Sequence, residues 1–233
     1  MLNVANPPRI PKGRDKPFTV QVGEEFMEDR WLQWAKQLEA IASTGMHFSV
    51  QPYDRERYEQ VSTIARQMLA AIGQVPITRI NDLVPDFAQG YATPQVDVRG
   101  AVFSGDRILL VRERSDGLWT LPGGYADVGL SAAENIEKEV NEEANLSVKA
   151  SRLYALRHKA KHRYKPDTRD FYKFFFFCEQ IDDRLPGPGP ETLAAEFFSL
   201  EKVPALSRGR VILADIEAAF LHRNDPLCVT LFD

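Results

Sequence analysis

The sequence predicts an α+β domain preceded by a small helical module, on three observations. Short strand-like runs rich in β-branched and aromatic residues fill the chain from about residue 95 onward. Helices are interspersed among those runs in a mixed order, as expected for helices packed on a sheet. Residues 26–75 carry apolar positions at helical, not strand, spacing. The resulting organisation is an extended arm over 1–25, a helical hairpin over 26–75, a linker over 76–94 and the α+β domain over 95–233.

The arm holds prolines at 7, 8, 11 and 17 and shows no sustained periodicity. From Glu24 to about Thr44, the residues Met27, Trp31, Trp34, Leu38 and Ile41 fall at steps of 4, 3, 4 and 3, one face of an amphipathic helix, with Gly45 expected to close it. Asp54 is the expected cap of a second helix carrying Tyr58, Val61, Ala65, Met68 and Ile72, stopped by Gly73 and Pro76. The aromatic stripe of this hairpin is either core or a partner interface, and an exposed stripe would be covered by a second copy of the chain, so a homodimer is expected. Pro76, Pro85, Gly90 and Pro94 mark the linker.

Beyond it, a strand ending at Phe103 and another starting at Arg107 flank Ser104-Gly105-Asp106, a hairpin signal. A short strand over Trp119–Leu121 follows, then a helix over Ala132–Ala144. Further strands are expected near Arg152–Arg157, Tyr172–Gln180 and Glu196–Leu200, and a last helix over about Gly209–Leu221. No repeat with a period of roughly 20–50 residues is visible, which excludes solenoids and propellers.

Composition excludes several classes. With 44% hydrophobic and 27% charged residues the 233-residue chain is neither disordered nor fibrous. No apolar run approaches the roughly 20 residues of a bilayer span, and the opening is too polar for a signal peptide, so a soluble cytoplasmic chain with no membrane partner is expected. Cys178 and Cys228 have no metal-ligand or disulfide spacing and read as buried structural thiols. A net charge of -4 argues against a general nucleic-acid surface.

The chemistry concentrates in residues 121–146. Ser131 and Glu134 form a capping box for the helix, and Asn145 can end it in the left-handed conformation. With Glu139 as the origin and about 100° per residue, Glu142 lies near -60° and Glu143 near +40°, so three carboxylates share one side. Glu139 and Glu143, four apart, repel unless a cation sits between them, and a Mg²⁺ ion held by one or two carboxylates and substrate phosphate oxygens fits that requirement. A solvated acidic helix face is the alternative from the helix alone.

Taken with its preceding loop, the segment resembles the Nudix hydrolase signature. Gly124 opens it, Lys138 stands where the family has arginine, and Glu139, Val140, Glu142, Glu143 and Leu146 match. Leu130 replaces the motif's first glutamate and Asn145 its late glycine. The lead-in Trp119-Thr-Leu-Pro-Gly-Gly124 is similar to that of the family, and the helical hairpin resembles the subgroup typified by CDP-choline pyrophosphatase, as do Tyr125, Asp127, Val128, Ser131, Glu134 and Asn135.

The resemblance implies an α/β/α sandwich with a mixed sheet and Mg²⁺- or Mn²⁺-dependent hydrolysis of a nucleoside diphosphate linked to another moiety, CDP-choline being the first guess. It implies metal binding by Glu139, Glu143 and the Gly123 carbonyl, with Glu142 holding metal or activating water. Glu191, after a Pro-Gly-Pro-Gly-Pro loop, is a second candidate base or else an exposed loop carboxylate. The basic run from Arg157 to Lys165 offers Lys159, His162 and Arg163 for phosphate, while Arg112 and Arg114 are either phosphate contacts or outward strand charges. Tyr172 and Phe174–Phe177 supply a base-stacking ring or, for most of them, a buried strand. The rival readings are trimming of RNA ends or nucleoside triphosphate hydrolysis by the same centre, and a non-catalytic nucleotide sensor.

Overall fold

The computed structural model describes residues 29–83, 91–225, 227 and 229–233. The expected arm, Met27 and Cys228 lie outside the described residues. Helix α1 spans Arg30–Phe48 and starts at Asp29, whose carboxylate accepts from the Trp31 N–H at 3.2 Å. Gly45 does not end it. It lies within α1 where a β-carbon would come within 2.4 Å of the Tyr58 ring, so its role is to let the next helix approach. That helix, α2 (Pro52–Gly73), is capped by Gln51 with proline in its first turn, so Asp54 sits inside the helix and is not its cap. A left-handed Gln74 ends it.

The predicted linker contains a third helix, α3 (Ile77–Leu83), whose Ile80 is buried with Leu32, Ala35 and Leu69. The two long helices meet through small residues, Ala35, Ala42 and Ser43 from one and Ser62 and Ala65 from the other. Between them Glu39 is buried, accepting from Ser62 Oγ at 2.8 Å and Arg66 Nε at 2.9 Å. The large residues of the predicted stripe therefore face outward: Trp31 and Trp34 are 58% and 43% exposed and Ile41 is 60% exposed. Of the two sequence alternatives, core or interface, these three positions are not core.

The remaining strands are β1 (Gln95–Ser104), β2 (Arg107–Glu113), β3 (Trp119–Thr120), β4 (Val148–His158), β5 (Phe171–Gln180), β6 (Thr192–Phe198) and β7 (Leu231–Phe232), with α4 at Ala132–Ala144 and α5 at Leu213–His222. They form one seven-stranded mixed sheet in the order β3-β2-β1-β5-β4-β7, with β6 also on β2. The β1–β5 and β4–β7 pairs are parallel and the others antiparallel. The predicted β1–β2 hairpin turns at Gly105 (φ 56°), but β1 spends most of its length on β5.

Alternation along buried strands splits the core into two layers. Ile108 and Leu110 join Phe175 and Ile216 on the α5 side, while Leu109 and Val111 join Ile136 and Val140 on the α4 side. An α/β/α sandwich results, an α+β fold. The Cys178 thiol is buried and pushed up to about 12, an inert packing group. Among the described residues no helix is long and apolar enough to cross a membrane. The helical unit meets the sheet domain through Lys36 Nζ and Asp170, 3.1 Å apart.

The close approach at Gly45 has a measurable consequence. Gly45→Ala is expected to cost about 1–3 kcal/mol by overpacking. Adding Tyr58→Ala is expected to recover part of that loss, so the two changes in urea unfolding add to less than their sum.

Candidate active site

Helix α4 carries the carboxylates, and its start is fixed by the capping box. The Glu134 N–H donates to Ser131 Oγ at 3.2 Å and the Ser131 N–H donates to the Glu134 carboxylate at 2.8 Å. Asn145, at φ 55°, closes the helix. Ile136, Val140 and Ala144 bury one face against the sheet. Glu137 is used elsewhere, accepting from the Ala150 N–H at 3.0 Å and pairing with Lys149 at 3.0 Å. Glu139, Glu142 and Glu143 are left to line a cleft of about 1100 Å³ together with Gly123, Glu113 and Glu191.

The loop before the helix fits this side closely. Gly123 has φ 138°, and a β-carbon there would lie 2.0 Å from the Val98 carbonyl oxygen, so only glycine is accommodated. Its N–H donates to Glu143 Oε2 at 2.8 Å. Gly124 brings its backbone so near Glu139 that a β-carbon would sit 3.1 Å from Oε1. Glu142 is half exposed and pairs with Lys138 at 3.5 Å, which also reaches Asp127 at 2.8 Å. The Pro-Gly-Pro-Gly-Pro loop closes over the C-terminal end of α4. The Thr192 hydroxyl and the Gly189 N–H donate to the Glu143 carbonyl at 2.7 and 3.2 Å, and the Gly187 N–H donates to that of Ala144 at 3.0 Å. Glu191 is carried into the cleft by this loop.

Burial pushes the Glu143 carboxyl up to about 8, against the pull of Arg99 and the Gly123 N–H, with Glu113 and Glu139 adding repulsion. Burial also raises Glu139, and Glu142 and Glu191 contribute in the same direction. Among the described residues no three His, Cys, Asp or Glu side chains form a tight cluster able to hold a metal ion. The carboxylates face one cleft as an open set. Such a donor set suits a hard divalent cation that keeps waters and takes further oxygens from a substrate.

Positive charge reaches the cleft from residues that sequence reasoning mostly missed. Arg99 is buried beneath the glycine loop, bonded to both Asp97 oxygens at 3.0 and 2.9 Å and to the Leu121 carbonyl at 3.2 Å. Lys173 is also buried, its Nζ 2.5 Å from Asp97. Burial raises Asp97, but the two cations outweigh it and hold the carboxyl at about 2. Burial pulls Lys173 down to about 8. Lys159, Lys165, Arg169 and Arg210 also line the cleft.

Of the five predicted phosphate contacts, Lys159 alone is among the lining residues. Arg112 donates to the Gly117 carbonyl at 2.8 Å, and Arg114 to those of Pro190 and Thr192 at 3.3 and 3.1 Å. Both arginines brace loops: strand alternation turns Arg112 away and points Glu113 inward, and Arg114 lies in the turn that follows. His162 is bound to Asp233 at 2.6 Å, and Arg163 is exposed and outside the lining. Tyr172 is likewise outside it. The aromatic residues of the cleft are Tyr125 and Phe171. Leu130 is exposed away from the cleft, and its carbonyl accepts from Asn135 Nδ2 at 3.3 Å. A second cavity of about 390 Å³ lies between α1 and the turn at Thr168–Asp170 and contains none of the α4 carboxylates.

The chain is similar to known proteins. Residues 93–220 match the family model described as the NUDIX domain, and residues 29–84 match that described as "UDP-X-like, N-terminal oligomerisation domain". A Bacillus subtilis (strain 168) protein named "Putative ADP-ribose pyrophosphatase YjhB" is 40% identical over 207 residues, which cover 89% of this chain and 99% of that protein. The crystal structure of a UDP-X diphosphatase is 30% identical, covers 87% of this chain and 98% of its own, and superposes with a TM-score of 0.56. That of an ADP-ribose pyrophosphatase from Streptococcus suis is 39% identical over 60% of this chain and all of its own, with a TM-score of 0.55. The chain belongs to the Nudix hydrolases, enzymes that typically use divalent metal ions.

The Glu143 carboxyl supplies a pH test. Its folded value of about 8 exceeds the ordinary 4.5, so the stability contributed by its neutral form is present below about 4.5 and is lost as pH rises through 8. The metal-free protein is expected to melt lower at about pH 8.5 than at about pH 6.5. Mn²⁺ is expected to raise the melting temperature more at the higher pH, because there it displaces less bound proton. Thermal melts with and without Mn²⁺ at both values check the two signs.

Proposed function

We propose that this chain hydrolyses the pyrophosphate bond of a nucleoside diphosphate esterified to a second moiety, with Mg²⁺ or Mn²⁺. The observation that carries the reading is the two-sided cleft: Glu139, Glu142 and Glu143 along one helix, with Lys159, Lys165, Arg169 and Arg210 among the other lining residues. The names of the relatives, ADP-ribose pyrophosphatase and UDP-X diphosphatase, support the same substrate class. ADP-ribose and UDP-linked sugars therefore stand beside CDP-choline as first substrates.

Glu139, Glu143 and the Gly123 carbonyl would hold the ion. When bound, it polarises the phosphoryl oxygens and lowers the pKa of coordinated water. The cleft lysines and arginines bind and orient the two phosphates. Glu142, half exposed and free to turn from Lys138, orients the attacking water and takes its proton; Glu191 is the other residue placed for that step. Water adds to one phosphorus as the bridging P–O bond breaks, giving a nucleoside monophosphate and the phosphorylated second moiety. RNA trimming is not favoured, since His162 and Arg163 of the basic run lie outside the cleft and the chain is acidic.

The outward stripe of α1 supports a homodimer assembled through the helical module, whose matching family model is described as an oligomerisation domain. Trp31 and Trp34 pack edge to face at 5.1 Å and present much of their surface.

A metal-dependent turnover screen over ADP-ribose, UDP-glucose, CDP-choline, nucleoside triphosphates and short RNA tests the substrate class. Turnover confined to the diphosphate esters is expected, with Glu139→Gln and Glu143→Gln each lowering kcat by at least about 10²-fold, the scale felt when a charge-stabilising or acid–base group is lost. Turnover confined to RNA or triphosphates would overturn it. Light scattering is expected to give a dimer mass for the natural chain and a monomer mass for Trp31→Glu/Trp34→Glu.

A further inference from the structure

We infer that Tyr125 is a nucleobase platform, a specificity-determining residue that recognises the aromatic face of the base. The inference rests on the nucleoside diphosphate reading above and deepens it. Tyr125 follows Gly124, where a β-carbon would meet Glu139, and it lines the same cleft as the α4 carboxylates. The backbone is pinned on both sides. Tyr125 bridges Asp97, the Val98 N–H donates to the Gly124 carbonyl at 2.9 Å, and the Ala126 N–H donates to that of Val96 at 3.0 Å.

The ring is backed by a rigid stack. Tyr125 and Phe171 lie nearly parallel, with centroids 5.7 Å apart and planes inclined by 11°. The Arg169 guanidinium sits 5.5 Å from the Tyr125 centroid and 5.1 Å from that of Phe171, and it is itself clamped by Asp167 at 3.1 and 3.2 Å. Phe171 is 3% exposed, whereas Tyr125 is 52% exposed and lines the cleft. Phe171 and the Arg169 guanidinium cover part of the Tyr125 ring, and the half of the residue that stays exposed belongs to the cleft lining.

An aromatic face held by packing before the ligand arrives binds another flat ring with little loss of side-chain freedom. Lys159 Nζ lies 4.8 Å over the same Phe171 ring, so a base stacked on Tyr125 brings its 5′-phosphate toward existing positive charge. Stacking of this kind is tolerant of base identity because every base has a π-face, and it is felt as roughly a tenfold to hundredfold effect per base. Purine and pyrimidine diphosphate esters are thus accepted through one platform.

The test compares ADP-ribose with diribosyl pyrophosphate, the same type of diester without a base, in natural chain, Tyr125→Leu and Tyr125→Phe. For Tyr125→Leu the ratio of kcat/KM between the two substrates is expected to fall at least about tenfold, through KM, toward equal use of both. Tyr125→Phe keeps the ratio within about threefold, because the face is retained. Titration of AMP and UMP against the same three proteins reads binding without turnover, with Tyr125→Leu weakening both nucleotides by a similar factor. An unchanged ratio in Tyr125→Leu, or undiminished nucleotide binding, overturns the platform. If the natural chain hydrolyses no diphosphate ester, the functional reading fails by itself, and the AMP and UMP titrations still decide the role of Tyr125.

Discussion

Three carboxylates from one helix and two more, Glu113 and Glu191, from a strand and a loop face a single cleft, and the structure around it is organised to tolerate that charge. Helical like charges four apart repel, and burial adds to the cost of ionising them. Two devices offset this. Part of the negative charge is neutralised by protonation, since the Glu143 carboxyl is held up to about 8. Part of the rest is met by Arg99, whose field falls on Glu139 and Glu143 from beneath the glycine loop, while Lys138 pairs with Glu142 and Arg210 with Glu113.

Arg99 can act there because Asp97 holds it. The pair sits two residues apart on β1, so both side chains share one face of a strand whose other face packs under α4. Lys173, from the parallel neighbour β5, completes the buried group, opposite Asp97 in register. One carboxylate serves two cations, and the surplus positive charge is what the cleft carboxylates require. The same strand pair sets the glycine loop: the Val98 and Gly100 N–H groups donate to the Gly124 and Pro122 carbonyls, each at 2.9 Å, and the Gly123 N–H is thereby aimed at Glu143.

Features written locally in the sequence were legible. The capping box and the helix-ending Asn145 marked α4 from Ala132 to Ala144, which is where it runs, and the spacing of Glu139, Glu142 and Glu143 put them on one side. Features that depend on which strand lies beside which were not. Arg112 points away from the cleft and Arg114 lies in the turn after the strand, while the strand face turned to the cleft belongs to Glu113, a choice set by pairing with β3 and β6. Asp97, Arg99 and Lys173 interrupt apolar strands, a visible signal whose meaning appears only when β1 and β5 are placed side by side. In the helical module, large apolar residues were read as one stripe, while close packing through alanine, serine and Gly45 turned Trp31, Trp34 and Ile41 outward.

We propose that the α4 carboxylates and the glycine loop form a divalent-ion site tuned by Arg99. Electron paramagnetic resonance of Mn²⁺ added to the natural chain, Glu139→Gln, Glu143→Gln and Arg99→Met reads that site directly, without substrate. For such a site, bound Mn²⁺ is expected in the natural chain, with marked weakening in both glutamine variants and an altered affinity in Arg99→Met. Undiminished Mn²⁺ binding in both glutamine variants would contradict it.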